Sequence, residues 1–231
     1  MSPRRRFYKI VTVTPERAVA LDGKPIRTPK KELLVLPTEA LAQAVAAEWE
    51  AQGEKIRPTT MLLTKLANTA IDRVSSDKAR ILAEMADYAG SDLVCYRATH
   101  PPDLVASQAA NWNPVIDWAL SSLDAPFTVT TGIIHQPQPP EALQAVGAAL
   151  SRLNSFEIAA LHTIMTITGS TLIALMLAAR ALSAEAAWAA AHVDEDFQIK
   201  SWGQDDEAAV RRAARQREFA SCCRFLELSK S

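Results

Sequence analysis

The chain has 231 residues, of which 48% are apolar and 22% are charged, as in ordinary folded proteins and unlike disordered ones. Its 25 Lys and Arg residues nearly balance 26 Asp and Glu residues, so the formal net charge is −1. This balance gives no general attraction to nucleic acid or to anionic membranes, and we expect neither as a partner. Three cysteines, two of them adjacent, do not make a disulfide framework and favour a reducing compartment.

Apolar and polar side chains alternate over the first 36 residues, which predicts strands. The run "YKIVTVT" alternates, and Asp22-Gly23 separates two short runs in "AVALDGKPIRT", a strong signal for a β-hairpin. The run "ELLVLP" predicts a further strand before Pro37. The chain opens with "MSPRRRFYK", and because no apolar segment follows these basic residues we interpret them as a short basic arm, not a secretory signal.

A helix is predicted directly after the strands. Thr38 precedes it as an N-cap, and Leu41, Val45 and Trp49 recur every four residues on one face as far as Gln52. Trp49 should therefore lie in the core. Three further tryptophans lie on amphipathic faces and are also expected to point inward: Trp112, Trp118 and Trp188.

After Pro58 the pattern is mostly helical, beginning with "TTMLLTKLANTAIDRV". Asn113 and Pro114 look like the cap and first residue of a helix, so two separate helices are expected at 102–110 and 114–123. The β-branched run 127–135 predicts a strand. The other predicted helices span 77–89, 140–152, 155–167, 170–181, 184–192 and about 205–228.

Strands first and helices afterwards indicate an α+β fold. We predict a small N-terminal β-rich domain over residues 1–75, followed by a larger all-helical domain over 76–231. The strand near 127–135 is a candidate to return to the N-terminal sheet.

The segment 158–179 contains no Asp, Glu, Lys or Arg and is long enough to cross a bilayer. Polar side chains are nevertheless spread across its middle, Gly169 interrupts it, and no basic cluster anchors either end. It is therefore predicted to be a buried core helix broken near Gly169, and we expect no membrane span.

Most catalytic signatures are missing. The chain has neither a glycine-rich phosphate loop nor a G-x-S-x-G motif, and its four histidines show no ligand spacing. His162, on an apolar helix, is expected to be a core histidine. These missing signatures argue against the common catalytic classes, and we expect no cofactor and no bound metal.

The stretch "DEDFQIKSWGQDDE", residues 194–207, places six carboxylates around one Trp-Gly pair. One alternative is a metal-dependent hydrolase that uses Asp194, Asp196, Asp205 and Asp206. A second is that the last three carboxylates begin a helix and complement its dipole. The third is a partner-binding surface with an aromatic anchor. Its predicted contact residues are Asp194, Glu195, Asp196, Gln198, Trp202, Gly203, Asp205, Asp206 and Glu207.

Three blocks carry a resemblance to a known family. They are "RFYKIVTV…ALDGKPIRTPKKELLVLPTEALAQAVAAEWEAQ…IRPTTMLLTKLANTAID", "SDLVCYRA…P…L…Q…WNPVIDW" and "DEDFQIKSWG". In this order, over nearly the whole chain, they resemble the assembly chaperones of the ATP synthase α subunit, which occur in mitochondria and α-proteobacteria. The chain departs from the family pattern at Leu62, where members usually have Pro, and at Gly169, where many mitochondrial members have Lys.

The resemblance implies a chaperone and not an enzyme. Such proteins bind the free α subunit of the catalytic head, cover the surface that the β subunit later occupies, and promote assembly of the head. It also implies an N-terminal β-containing domain and a C-terminal helical domain. We expect a bacterial cytoplasmic protein, or a mitochondrial matrix protein if the source is eukaryotic, that is monomeric when free and whose acidic stretch faces its partner.

Overall fold

The protein, seen here as a computed structural model, is described for residues 5–132 and 134–230. Residues 1–4 of the predicted basic arm and Ile133 of the predicted strand lie outside this range. The chain divides into two compact units, one formed by residues 1–78, 154–160 and 221–231, the other by 79–153 and 161–220. The first unit thus includes two late segments that a single boundary after residue 75 leaves out.

A three-stranded antiparallel sheet lies in the first unit, formed by β1 (Val11–Val13), β2 (Val19–Leu21) and β3 (Lys24–Pro25). The predicted hairpin is confirmed, since Leu21 pairs with Lys24 across Asp22 and Gly23, whose φ angles are 48° and 77°. Positive φ at both central residues is typical of a type I′ turn, which suits an Asp-Gly pair.

The strand predicted over "ELLVLP" is wrong. Val35 and Leu33 form only isolated bridges, to Ala18 and Arg27 respectively. Leu34 and Leu36 are buried all the same, because successive side chains of an extended backbone point to opposite faces.

Helix α1 (Glu39–Glu50) contacts β1 and β2, and the Thr38 hydroxyl accepts a hydrogen bond from Leu41 N at 3.1 Å, as the cap prediction required. The chain continues into α2 (Leu62–Thr69) and one turn of π-helix (Ala70–Val74). Trp49 is only partly buried, against a cluster that contains Tyr8 and Met61. Trp49 thus packs against the core as the helical pattern predicted, but part of its ring remains exposed.

The second unit is mainly helical. Besides short 3₁₀ turns, its elements are α3 (Lys78–Tyr88), α4 (Pro102–Leu123), α5 (Pro140–Ser151), α7 (Thr171–Ala178), α8 (Ala184–Ala191) and α9 (Val193–Trp202). Two further helices supply residues to both units, α6 (Ser155–Thr168) and α10 (Asp206–Leu228). With the N-terminal sheet followed by helices, the α+β fold class is confirmed.

The strand expected near 127–135 does not join the N-terminal sheet. Only β5 (Thr130–Thr131) forms, and it pairs in parallel with β4 (Tyr96–Arg97) in a separate two-stranded sheet. β-Branched composition predicts an extended backbone but carries no information on the pairing partner.

Helix α4 is one continuous helix, so the prediction of two helices separated at Asn113 is wrong. Pro114 lies inside it, although an internal proline removes a hydrogen bond and costs about 3 kcal/mol. The helix buries Trp112 and Val115 on either side of the proline, and the Asn113 side chain accepts a hydrogen bond from Arg97 instead of capping a helix. Burial of this face outweighs the local penalty.

The apolar segment 158–179 breaks as predicted, because α6 ends at Thr168 and α7 begins after Gly169 and Ser170. Within the described residues, no helix is long and apolar enough to cross a membrane. His162 is partly exposed and lies 3.4 Å from Glu84 Oε1, so the core-histidine prediction is wrong.

Candidate functional site

The acidic stretch folds as helix α9 and the turn that follows it, an element the sequence did not predict as helical. The helix ends at Gly203, whose amide donates to the Ile199 carbonyl at 2.8 Å. Gly203 has φ 83° and ψ 179°, a conformation that is essentially restricted to glycine. The turn direction between α9 and α10 therefore depends on this glycine.

The first carboxylates of α9 bind other elements of the second unit. Asp194 Oδ1 accepts a hydrogen bond from Gln108 Nε2 at 2.7 Å. Both carboxylate oxygens of Glu195 accept from Arg215 Nη2 at 2.9 Å, and Asp196 forms an ion pair with Arg212. These three predicted contact residues thus attach α9 to α4 and α10.

His192 supports the start of α9 from the core. Its ring stacks on Trp188 at 3.7 Å, and Nδ1 lies 2.9 Å from the Trp188 carbonyl oxygen. Burial lowers the pKa of His192 below its ordinary value, although the Trp188 carbonyl and Glu195 oppose that shift. The neutral imidazole is thereby favoured beneath the ion pairs.

The turn between the two helices presents a different surface. Trp202 is 79% exposed and Val210, one turn into α10, is 68% exposed. Residues 203–207 are also exposed. A tryptophan left in solvent is unusual, because burying an aromatic ring is strongly favourable. We call Trp202, Gly203, Asp205, Asp206 and Glu207 the α9–α10 tip.

The carboxylates of the tip contribute to the helix start, as the second alternative predicted. Asp205 Oδ1 accepts a hydrogen bond from Ala208 N at 2.9 Å, and Asp206 and Glu207 form the first turn of α10. Glu207 also forms an ion pair with Arg211 one turn later. All three remain exposed, so this structural role leaves their outer surface open to a partner.

The hydrolase alternative has no geometric support. No group of three or more His, Cys, Asp or Glu side chains that could hold a metal occurs within residues 5–132 and 134–230. Asp194 and Asp196, two of the four proposed ligands, are bonded to Gln108 and Arg212 respectively, on separate elements.

Sequence reasoning missed the residues that hold the site, namely Gln108, Arg212 and Arg215. The run "RRAARQR" at 211–217 was the available signal, because it places positive charge one element after the negative charge of 194–196. Charge patterning alone could suggest that pairing, but it could not specify which carboxylate meets which arginine.

Comparison with known proteins gives a consistent result. Residues 5–120 match the family model described as the ATP12 chaperone protein. The chain belongs to the ATP12 chaperone family. This confirms the resemblance noted from the sequence, and it identifies a chaperone of ATP synthase assembly.

Solved structures agree over nearly the entire chain. Atp12 from Paracoccus denitrificans is 41% identical, with a TM-score of 0.90 and coverage of 98% of this chain and 99% of that one. The Atu1473 protein of Agrobacterium tumefaciens is 42% identical, with a TM-score of 0.92 and coverage of 98% and 86%. A more distant relative, the mitochondrial atp12 protein of Schizosaccharomyces pombe, is 24% identical over 219 residues, which are 88% of this chain and 75% of that one.

Proposed function

We propose that this chaperone binds the free α subunit of the ATP synthase catalytic head, covers the surface that the β subunit later occupies, and releases α during assembly of the head. Family membership supports the chaperone role, and an unassembled subunit exposes an apolar interface that would otherwise aggregate. The chaperone acts by binding alone and catalyses no reaction.

The observation that carries the contact surface is the exposure of Trp202 at the α9–α10 tip. Large aromatic side chains surrounded by polar groups are common anchors of protein interfaces. Asp205, Asp206 and Glu207 surround this anchor with negative charge, which selects a basic surface on the partner. Asp194, Glu195 and Asp196 position the tip, and Gln198, which is exposed on α9, lies at its edge.

The sources of the relatives support a proposal for where the chaperone works. One is named as a mitochondrial protein and another comes from the bacterium Paracoccus denitrificans. We place this chaperone in the cytoplasm of a bacterium such as an α-proteobacterium, or in the mitochondrial matrix if its source is eukaryotic, as a monomer when free.

The partner is tested by mixing the purified chaperone with α and β subunits expressed separately. We expect capture of α, no capture of β alone, suppression of α aggregation at equimolar chaperone, and no ATP turnover by the chaperone. Absence of protection, or measurable ATP hydrolysis, contradicts the proposal.

The contact surface is tested with the double variant Asp206→Lys and Glu207→Lys. Affinity for α should fall, with a larger loss at low salt, because screening weakens exposed charge interactions. A matched control reverses Asp87 and Asp117, two exposed helical acids of the second unit with no ion pair among the described residues. An unchanged affinity in the tip variant, or an equal loss in the control, refutes this surface.

A further inference from the structure

A groove of about 940 Å³ lies in the first unit, lined by residues of α1, of the segment that follows it and of α10. Small residues line its floor, among them Ala47, Ala51 and Gly53. The segment 52–60 and the last turns of α10 complete its walls, with Arg224 on α10. Because these three residues carry at most a methyl group, a polypeptide backbone can approach them closely.

Three cations line this groove, Lys55, Arg57 and Arg224, and all three are exposed. None of them forms an ion pair with another described residue. In contrast, Arg6 nearby is bonded to the Glu50 carboxylate and to the carbonyl oxygens at the end of α1. The groove thus holds positive charge that the unit itself leaves uncompensated.

Two acidic residues, Glu48 and Glu54, also line the groove, so three positive charges against two negative ones leave the lining with a net charge of +1. Glu48 is engaged elsewhere, since Oε1 accepts from Leu63 N and Oε2 from Thr64 N, each at 2.8 Å, at the start of α2. The Glu54 side chain has no partner among residues 5–132 and 134–230, so it is the more available of the two carboxylates and opposes an anionic ligand directly.

We propose that this groove is a second contact site for the client subunit and takes an acidic segment of its polypeptide chain. This inference rests on the proposed function. The carboxylates of the segment contact Lys55, Arg57 and Arg224, and its backbone lies along the small-residue floor. The charge preference is opposite to that of the α9–α10 tip, so two sites of opposite sign would fix the orientation of one client.

The lining favours a peptide over other anions. No aromatic side chain that could stack on a base is among the lining residues, which argues against single-stranded nucleic acid. The cations stand on two segments of the unit, Lys55 and Arg57 on residues 52–60 and Arg224 on α10, a spread that suits the spaced carboxylates of a peptide.

The test measures α binding by the intact chaperone with Lys55→Glu and Arg224→Glu combined. We expect affinity to fall about tenfold at low salt and the difference to shrink at high salt. Lys24→Glu is the matched control, because Lys24 is an exposed cation of the same unit outside the groove, and it should bind as the parent does. Circular dichroism and a thermal melt establish that each variant is folded.

Glu54→Gln should increase the affinity for α, a result that misfolding cannot produce. Removing the opposing carboxylate should tighten α binding about two- to threefold. A labelled peptide of alternating Glu and Ala should bind the parent and bind Glu54→Gln more tightly, whereas the affinity of the corresponding Lys and Ala peptide, which suits the acidic tip, should not increase in Glu54→Gln.

The outcomes separate this inference from the proposed function. If the parent binds α and the groove variants bind it equally well, the groove inference is refuted and the chaperone's proposed partner stands. If the parent does not bind α, the proposed partner is refuted and the groove inference falls with it. Tighter binding of an oligothymidine than of the acidic peptide of equal charge also overturns the groove assignment.

Discussion

Asp92 is a fully buried carboxylate whose ionisation should make folding depend on pH. It precedes a 3₁₀ turn and accepts hydrogen bonds from Val94 N at 3.3 Å and from Leu172 N, at the start of α7, at 3.1 Å. Burial raises the pKa of Asp92 from an ordinary 3.8 to about 6, although hydrogen bonds from Ser170 and backbone amides oppose the rise.

The sign of the pH effect follows from this raised pKa. Between pH 4 and 6 the folded state holds a proton on Asp92 that the unfolded state has lost, so stability falls as pH rises through this window. One unit of pKa corresponds to about 1.4 kcal/mol, so the full effect is about 3 kcal/mol. The loss of stability is complete above pH 7.

The assay compares urea unfolding of the parent and of Asp92→Asn at pH values from 4 to 7.5. Asparagine cannot ionise. Its side chain has one acceptor oxygen where the carboxylate has two, but this loss is the same at every pH and does not affect the pH dependence of the difference. We expect the stability of the parent relative to the variant to decrease by about 2 kcal/mol from pH 4 to 7.5, because part of the full effect already lies below pH 4. A difference that stays constant with pH, or that increases, refutes the reasoning.

Three further substitutions test the packing and the site. Trp49→Ala should lower the free energy of unfolding by about 2–3 kcal/mol in urea titrations. This is less than the loss expected for a fully buried Trp, because the Trp49 ring is partly exposed. Full stability together with lost α binding would show that Trp49 is a contact residue. Glu195→Lys should lower the melting temperature, because it places a cation beside Arg212 and Arg215, at a cost of about 1–3 kcal/mol in folding free energy. A stable variant with impaired α binding would contradict the structural role of Glu195. Trp112→Phe should lower the free energy of unfolding by about 1–3 kcal/mol in the same titrations. The Ala190 carbonyl accepts a hydrogen bond from Trp112 Nε1 at 2.6 Å, and the substitution removes that donor. No loss would mean that this hydrogen bond contributes nothing to stability.

The sequence by itself determined those features whose signals are local. Asp22-Gly23 specifies its hairpin because both residues tolerate positive φ, and Thr38 specifies a helix start because its hydroxyl accepts from a nearby amide. Gly169 and Ser170 likewise separate α6 from α7. The family was also recognisable from the sequence, since its three blocks are local runs of residues.

Tertiary structure alone decided the features that depend on distant partners. Pro114 predicts a helix boundary, yet α4 continues because its buried face outweighs one lost hydrogen bond. β5 pairs with β4, and no local pattern encodes that choice. Helix α9 shows no apolar stripe, and its carboxylates are engaged by Gln108, Arg212 and Arg215, which are between 16 and 86 residues away in sequence. Trp202 remains exposed, and the local sequence could not predict this, because the burial of a side chain depends on which helices pack around it.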